Sequence, residues 1–294
     1  MLKIDHQYWT VLLRAVVGQA TTYLGVVMIG LVWLSLSFHL GMEREHAQRA
    51  AIQTSRNLAR AFEEHLSRSL KEIDRSVLML RSSYESNPAA FTFKSLIQNA
   101  DIHDYPAIQV VIVGPDGVVR KRSVGPVFPV INVSDRDHFQ ILAGSDTDDL
   151  TISKPVVGRG TKKLSIHLSR RLRNADGSFN GIITATLDPN YFSRFYDSID
   201  IGRDGIVRVI GLDGVIRAEG GRNQSAIGKN IAQAELFQQY RRAPAGWYHS
   251  QHSRSDHIQR LTAYRAVKDF PLIVTVGIAA HEIFADSQGK GARL

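Results

Sequence analysis

The sequence predicts an α+β protein with an N-terminal transmembrane helix, a long stalk helix and two modules built on antiparallel sheets. Three observations carry that prediction. One uncharged segment is long enough to cross a bilayer, an apolar recurrence of helical period follows it, and beyond Pro106 short apolar runs alternate with Asp-Gly dipeptides. A length of 294 residues suits about two domains at roughly 150 residues each.

The first element is the spanning segment. Ala15 to Phe38 is free of charge and rich in Val, Leu, Ile and Gly. At about 1.5 Å per residue its helix covers roughly 36 Å, enough for a hydrocarbon core of about 30 Å with some tilt. Tyr8, Trp9 and Trp33 flank it as an interfacial aromatic belt. A cleaved signal peptide is the rival, but the core is too long and Ser35-Leu36-Ser37 makes a weak cleavage site. Lys3 and Arg14 precede the segment, whereas Glu43 and Glu45 accompany Arg44 and Arg49 after it. The positive-inside rule therefore leans towards a cytoplasmic N-terminus, with everything after about residue 41 in the periplasm of a bacterial inner membrane.

Next comes the stalk, over about 41–83. Ala51, Leu58, Phe62, Leu66, Ile73, Val77 and Leu80 recur at spacings of three, four or seven with polar residues between. Such a stripe serves either a homodimer seam or packing on the helix's own domain, and both remain open over different parts of its length.

Strands follow. Ile108–Val113 and Val118–Arg120 flank Asp116-Gly117, and Ser165–Leu172 and Gly181–Leu187 flank Asp176-Gly177. Asp204-Gly205 and Asp213-Gly214 complete the set, and Leu272–Ile278 reads as the last strand. Asp-Gly accommodates the positive φ angles of a type I′ turn, so each dipeptide predicts a hairpin. Ile112 to Arg120 is echoed by Val209 to Arg217 at an offset of 97, with Gly, Asp, Gly and Arg in equivalent places. Chance recurrence is one explanation; two modules of one design, over 84–198 and 199–285 and joined by a helix at Tyr191–Ser198, is the other. Residues 1–14 then form the cytoplasmic N-terminus, 15–40 the span, and 286–294 a polar tail.

Composition removes several functions. With no cysteine there is no disulfide framework, thiolate metal site or cysteine nucleophile. The net charge of +8 raises the question of nucleic acid, yet Lys and Arg are dispersed instead of forming a basic aromatic stripe. No nucleic-acid partner is expected, and anionic headgroups are the better match for a basic surface.

Taken together, Val133 to Phe139, Ile152 to Val156, Leu168 to Leu172, Gly181 to Asp188, Tyr191-Phe192 and Asp213-Gly214 resemble the double Cache extracytoplasmic sensors. Those sensors carry two PAS-like modules on a long N-terminal helix, ahead of bacterial diguanylate cyclases and histidine kinases. The resemblance spans about 43–285 and implies a ligand pocket in the membrane-distal module, here 84–198. It also implies a homodimer and a signal carried by the second module and the long helix. The chain departs from the pattern where a second crossing would begin, because Pro271–Ala285 is short and contains His281 and Glu282. A truncated receptor and a standalone binding protein without its own output are both compatible with that.

Arg136 is the first candidate for a ligand contact, since a guanidinium pairs with a carboxylate through two parallel hydrogen bonds. Arg136 to Phe139 resembles the Arg-x-Trp-Tyr element of amino-acid-binding members, which places His138 and Phe139 on the pocket wall; surface pairing of Arg136 with Asp135 or Asp137 is the alternative. Asp188 matches the family carboxylate that receives a ligand amine, although Asp before Pro189 is also a turn former. Ile131 stands about where that motif has Tyr, which leaves carboxylates in general open beside amino acids. Ser165, His167 and Ser169 share one strand face, and Lys154 and Arg159 are lesser candidates for anion contacts. The expected partner is thus a small organic acid or amino acid.

No cofactor, metal or catalytic residue is expected. His249, His252 and His257 with Asp256 read as a polar loop, and Asp146, Asp148 and Asp149 lack the glycine and distal Glu of a calcium loop. His281-Glu282 would need a histidine at 285, where Ala285 stands, to make a zinc-protease helix.

Overall fold

Helix α1 (His6–Ser86) runs without interruption, since no proline occurs before Pro88. It stops there because the residue before a proline is pushed out of the helical region, and the Asn87 side chain accepts a bond from the Ala90 N–H at 3.1 Å. The computed structural model describes residues 6–93, 109–125, 130–192, 199, 201–221, 225–250 and 258–283, with side chains from Tyr23 onward. Ile108, the greater part of the connection at Tyr191–Ser198, the loop holding His252, Asp256 and His257, and both chain ends lie outside the described residues.

Two compact units emerge, one of residues 1–50 with 283–294 and the other Ala51–Glu282. Within the first, every large apolar side chain from Tyr23 to Met42 is exposed, and α1 is apolar and long enough there to cross a membrane.

The second unit holds two antiparallel sheets. The first contains β1 (Gln109–Val113), β2 (Val119–Arg122), β3 (Thr151–Ile152), β4 (Val156–Val157), β5 (Leu164–Arg173) and β6 (Phe179–Leu187) in the order β2-β1-β6-β5-β3, with β4 also on β5. A short helix, α2 (Asp137–Ala143), precedes β3. The second sheet is ordered β8-β7-β11-β10-β9. It comprises β7 (Ile206–Gly211), β8 (Ile216–Gly221), β9 (Ala245–Ser250), β10 (Arg260–Ala266) and β11 (Leu272–Ala279), with helix α3 (Glu235–Arg242) before β9.

The stalk's apolar stripe is consumed by these sheets. Phe62, Leu66, Leu70, Ile73, Val77 and Leu80 are at most 2% exposed and share one core with Ile112, Leu168 and Leu187 of the first sheet and Val209, Val274 and Val276 of the second. Burial of each large side chain is worth about 1.5–3 kcal/mol, so the stripe is a packing face of its own domain and the sequence argument for a dimer seam falls away.

The repeated hairpin is real in three dimensions. Gly114 and Gly211 donate to Val118 and Val215, and Asp116 and Asp213 accept from those same valines' N–H groups. Each hairpin oxygen, Gly117 and Gly214, in turn receives the N–H of Val133 or Ile231 at 2.8 Å. Only the glycines take positive φ, +77° and +83°. The turns are therefore not type I′, which needs two positive residues; a right-handed turn followed by a left-handed glycine replaces it. Asp204-Gly205 departs further, since Gly202 holds the positive φ and Gly205 leads into β7.

At the start of β6, Gly181 sits at φ +106° with the Val113 carbonyl oxygen where a Cβ would lie. Gly181→Ala combines a disfavoured φ with a backbone clash, and a loss of at least about 2 kcal/mol is expected from the urea unfolding midpoint.

Candidate functional site

Side-chain alternation sorts each strand of the first sheet into a stalk face and a far face. Val110, Ile112, Ile166, Leu168, Ile183, Ala185 and Leu187 belong to the core shared with the stalk. Gln109, Val111, Val113, His167, Thr184 and Thr186 look the other way and floor a cavity of about 610 Å³, open mouth included. Its walls are Val119 and Arg122 of β2, Ile131, Val133 and Arg136 before α2, His138 within it, and the segment Val157 to Thr161.

Arg136 is placed by the start of α2. Its backbone is extended (φ −82°, ψ 139°), and its carbonyl accepts the first helical bonds, from Phe139 and Gln140 at 3.0 Å. The guanidinium then reaches across to donate to the Val157 carbonyl at 3.1 Å. Behind it, Ser134 N–H donates to the Asn132 side chain at 2.8 Å, an Asx turn seated on the Asp116-Gly117 hairpin. At the other end of α2, Arg171 donates to the carbonyls of Leu142 and Ser145 and lies over the Phe179 ring at 5.0 Å.

His138 and His167 stack with ring centroids 4.7 Å apart, and His167 Nδ1 meets Thr186 Oγ1 at 3.2 Å. Burial, helped by the Arg136 charge, pushes His138 down to about 4. Burial together with His138 pushes His167 down to about 3. Both rings are therefore neutral at physiological pH, each with one N–H to donate. Unfolded histidines titrate near 6.5, so below that pH the unfolded chain binds protons that the folded chain refuses. The contribution to stability is complete above about 6.5 and is lost as pH falls through about 4 and about 3, at up to roughly 1.4 kcal/mol per pH unit per group. Melting temperature followed from pH 7.5 to 4.5 should fall, and His167→Gln should flatten that slope.

Of the sequence candidates, Arg136, His138 and His167 converge on the cavity, as does Arg159. Four do not. Phe139 packs with Val113, Val119, Leu142 and Ile182 beneath α2. The Ser165 hydroxyl is turned onto the Lys163 carbonyl, and Lys154 is half-exposed, 3.6 Å from Asp137. Asp188 accepts the Asn190 N–H at 2.9 Å in the turn that ends β6 and does not line the cavity, because the strand stops one residue before it. Ser169 bonds Thr184 within the buried sheet face. Arg122, Gln109, Thr184 and Thr186 were missed; the alternation of β1 and β6 gives the face of Gln109, Thr184 and Thr186 but not what that face meets, and Arg122 at the end of β2 has no such signal.

The acidic patch is not simply solvated. Asp148 pairs with Arg81 of the stalk, its carboxyl held below the usual range chiefly by that bond, and Asp146 lies 3.4 Å from Arg171. Among the described residues, Asp204, His281 and Glu282 bring ligand atoms within 4.8 Å of one another. Within the group, His281 lies 3.3 Å from Asp204 and Glu282 accepts the Asp204 N–H, and Arg260 donates to the Asp204 carbonyl at 2.8 Å.

The second module repeats the plan without the cation. Asn230 holds Ala232 as Asn132 holds Ser134, but the residue before α3 is Ala234, and Leu236 stands where His138 does. A smaller cavity there is lined by Arg208, Tyr248 and Arg260, and Arg208 is matched by Glu219, itself 1% exposed, at 2.6 Å.

Comparison with known proteins agrees with this architecture. No curated protein matches the sequence. Among solved structures, the extracellular domain of a protein assigned as a histidine kinase, rpHK1S-Z16, is 29% identical with a TM-score of 0.72, covering 79% of this chain and 96% of its own. The ligand-binding domain of the Pseudomonas fluorescens chemoreceptor CtaA, in complex with L-isoleucine, is 12% identical with a TM-score of 0.60 over 83% and 98%. A Campylobacter jejuni chemoreceptor ligand-binding domain, in complex with L-norvaline, is 13% identical with a TM-score of 0.54 over 81% and 94%. The family described as the Cache domain matches residues 43–287. With two antiparallel modules on one long helix and a family match over most of its length, this chain belongs to the double Cache sensor family.

Proposed function

We propose that the chain is a single-pass sensor of the bacterial inner membrane that binds a small carboxylate in the periplasm, in the cavity of its first module. The observation that carries this reading is the convergence of Arg136, Arg122 and Arg159 on a largely apolar cavity with neutral His167 in its floor and neutral His138 in its wall. A guanidinium fork beside low-dielectric walls recognises a carboxylate more strongly than it would in water. Membrane anchoring is supported by the exposed apolar side chains of α1 between Tyr23 and Met42.

Transmission would run through β5. His167 faces the cavity on this strand, whereas Arg170 on the opposite face grips Asp74 of the stalk through two bonds of 2.7 and 2.6 Å. A ligand that favours one arrangement of β5 would thereby bias the stalk, to the extent of its differential affinity for the two states. The 29% identical histidine-kinase neighbour favours a receptor of that class, with a diguanylate cyclase as the other proposed output. A homodimer formed through the stalk would use the polar face of α1, such as Arg60, Glu64 and Arg75, because the apolar stripe is occupied.

The test is a thermal-shift screen of the full chain in neutral detergent against organic acids and amino acids. A carboxylate that raises the melting temperature is expected, and the shift should vanish in Arg136→Ala. An undiminished shift in that variant would remove the cavity from consideration.

A further inference from the structure

We propose that the second module carries a site for a divalent transition-metal ion, zinc being the best match, built by Asp204, His281 and Glu282. The site is separate from the first-module cavity and does not rest on the carboxylate reading.

The three side chains come from two segments that the second sheet brings together. β11 pairs with β7, with Gly277 opposite Ile206. The turn that leads into β7 therefore stands beside the helical turn, 280–283, that follows β11. Each residue offers a ligand atom, and these atoms lie within 4.8 Å of one another. His281 Nε2 and Asp204 Oδ2 are 3.3 Å apart. Ligands held at about 2.1 Å around tetrahedral zinc stand about 3.4 Å from each other, so this pair already has the spacing of two zinc ligands. The His281 side chain is 62% exposed, and rotation about its χ angles can close the remaining distance to Glu282.

Glu282 supplies a second, independent observation. Its Oε1 accepts the Asp204 N–H at 3.0 Å, whereas its Oε2 is buried without a hydrogen-bond partner among the described residues. Such an oxygen costs free energy unless something satisfies it, and a metal ion would. The backbone also makes room for it, since a Cβ on Gly202, at φ +83°, would take the place of Oε2. Arg260 braces the Asp204 backbone by donating to its carbonyl at 2.8 Å. A carboxylate has about four lone-pair sites, so the bonds that Asp204 and Glu282 already make leave positions for a metal.

The donor set selects the ion. An imidazole nitrogen with two carboxylates suits zinc and its transition-metal neighbours, whereas calcium and magnesium take oxygen ligands. Two carboxylates and an imidazole bound in its neutral form cancel a double positive charge. Three protein ligands leave one tetrahedral position for water. Occupancy would tie the chain's entry into β7 to its exit from β11, giving the second module an input of its own.

Isothermal titration of the full, untagged chain in neutral detergent with zinc chloride tests this, with magnesium chloride as the contrast. A zinc site is expected that His281→Ala and Glu282→Gln each weaken at least about ten-fold, because even the groups behind metal ligands contribute about 10–100-fold. Zinc held elsewhere on the chain persists in both variants and is separated by that comparison. Binding undiminished in His281→Ala, or no zinc binding at all, would overturn the proposal and leave His281 and Asp204 as an ion pair. Loss in His281→Ala with Glu282→Gln unchanged would overturn the three-ligand site. Magnesium bound as tightly as zinc would overturn the choice of metal. Melting in EDTA shows whether Glu282→Gln keeps its fold; if it does not, the exposed His281 decides the matter. None of these failures would touch the carboxylate reading, which Arg136→Ala tests on its own.

Discussion

Arg136→Ala should weaken carboxylate binding by about 30-fold, the largest effect expected from any single change in the cavity. A hydrogen bond to a charged partner is worth about 1.5–3 kcal/mol, and about 2 kcal/mol corresponds to roughly 30-fold. Arg136 is half-exposed, which argues against the upper end of that range. Arg136→Lys should recover only part of the loss, because an ammonium keeps the charge and forfeits the planar fork. Asp188→Asn is the contrasting variant, expected to alter affinity less than two-fold, since Asp188 serves its own turn. Titration of the three variants against one carboxylate checks all of this. A larger loss in Asp188→Asn than in Arg136→Ala would reverse the assignment.

Asp74→Ala should cost about 2–3 kcal/mol of folding stability. Arg170 and Asp74 are 12% and 17% exposed at their side chains and form a two-bond pair joining the stalk to β5. Removal of the carboxylate leaves a guanidinium largely buried, and breaking a fully buried pair costs about 3–5 kcal/mol; the residual exposure of this one, with Asp148 nearby, lowers the figure. An apolar replacement of both partners, Asp74→Leu with Arg170→Met, should restore most of the stability because no charge is left stranded. Urea denaturation of the two variants decides the matter. If the double variant is as unstable as Asp74→Ala, the loss comes from packing instead of from a stranded charge.

Much of the fold was legible in local pattern. The proline-free run and its apolar spacing foretold α1, and three of the four Asp-Gly pairs foretold hairpins even where the turn type differed, whereas Asp204-Gly205 leads into β7 with no described strand directly before it. The echo between Ile112–Arg120 and Val209–Arg217 proved to be two equivalent hairpins, each bracing the loop before a short helix. The site was legible only in part. Arg136 and His138 lie in one short motif, so their proximity is local. Arg122 and Gln109 meet them only because β1 pairs with β6 and β2 with β1, and no spacing along the chain reports that. Asp188 and Phe139 fit a family motif by position, yet the end of β6 and the packing of α2 turn them elsewhere.

By itself, the sequence determined what is encoded within a turn or a period: the continuous helix, the strands and their two faces, the repeated hairpins and the absence of thiol chemistry. Tertiary structure alone decided that the stalk's stripe belongs to its own sheets. It also decided that His167 stands over Thr186 beside His138, and that Arg208 of the second module is matched by Glu219 while Arg122, Arg136 and Arg159 gather on the first module's cavity. The reason is physical: periodicity states which way a side chain points, but strand register and helix docking between distant segments determine what it points at.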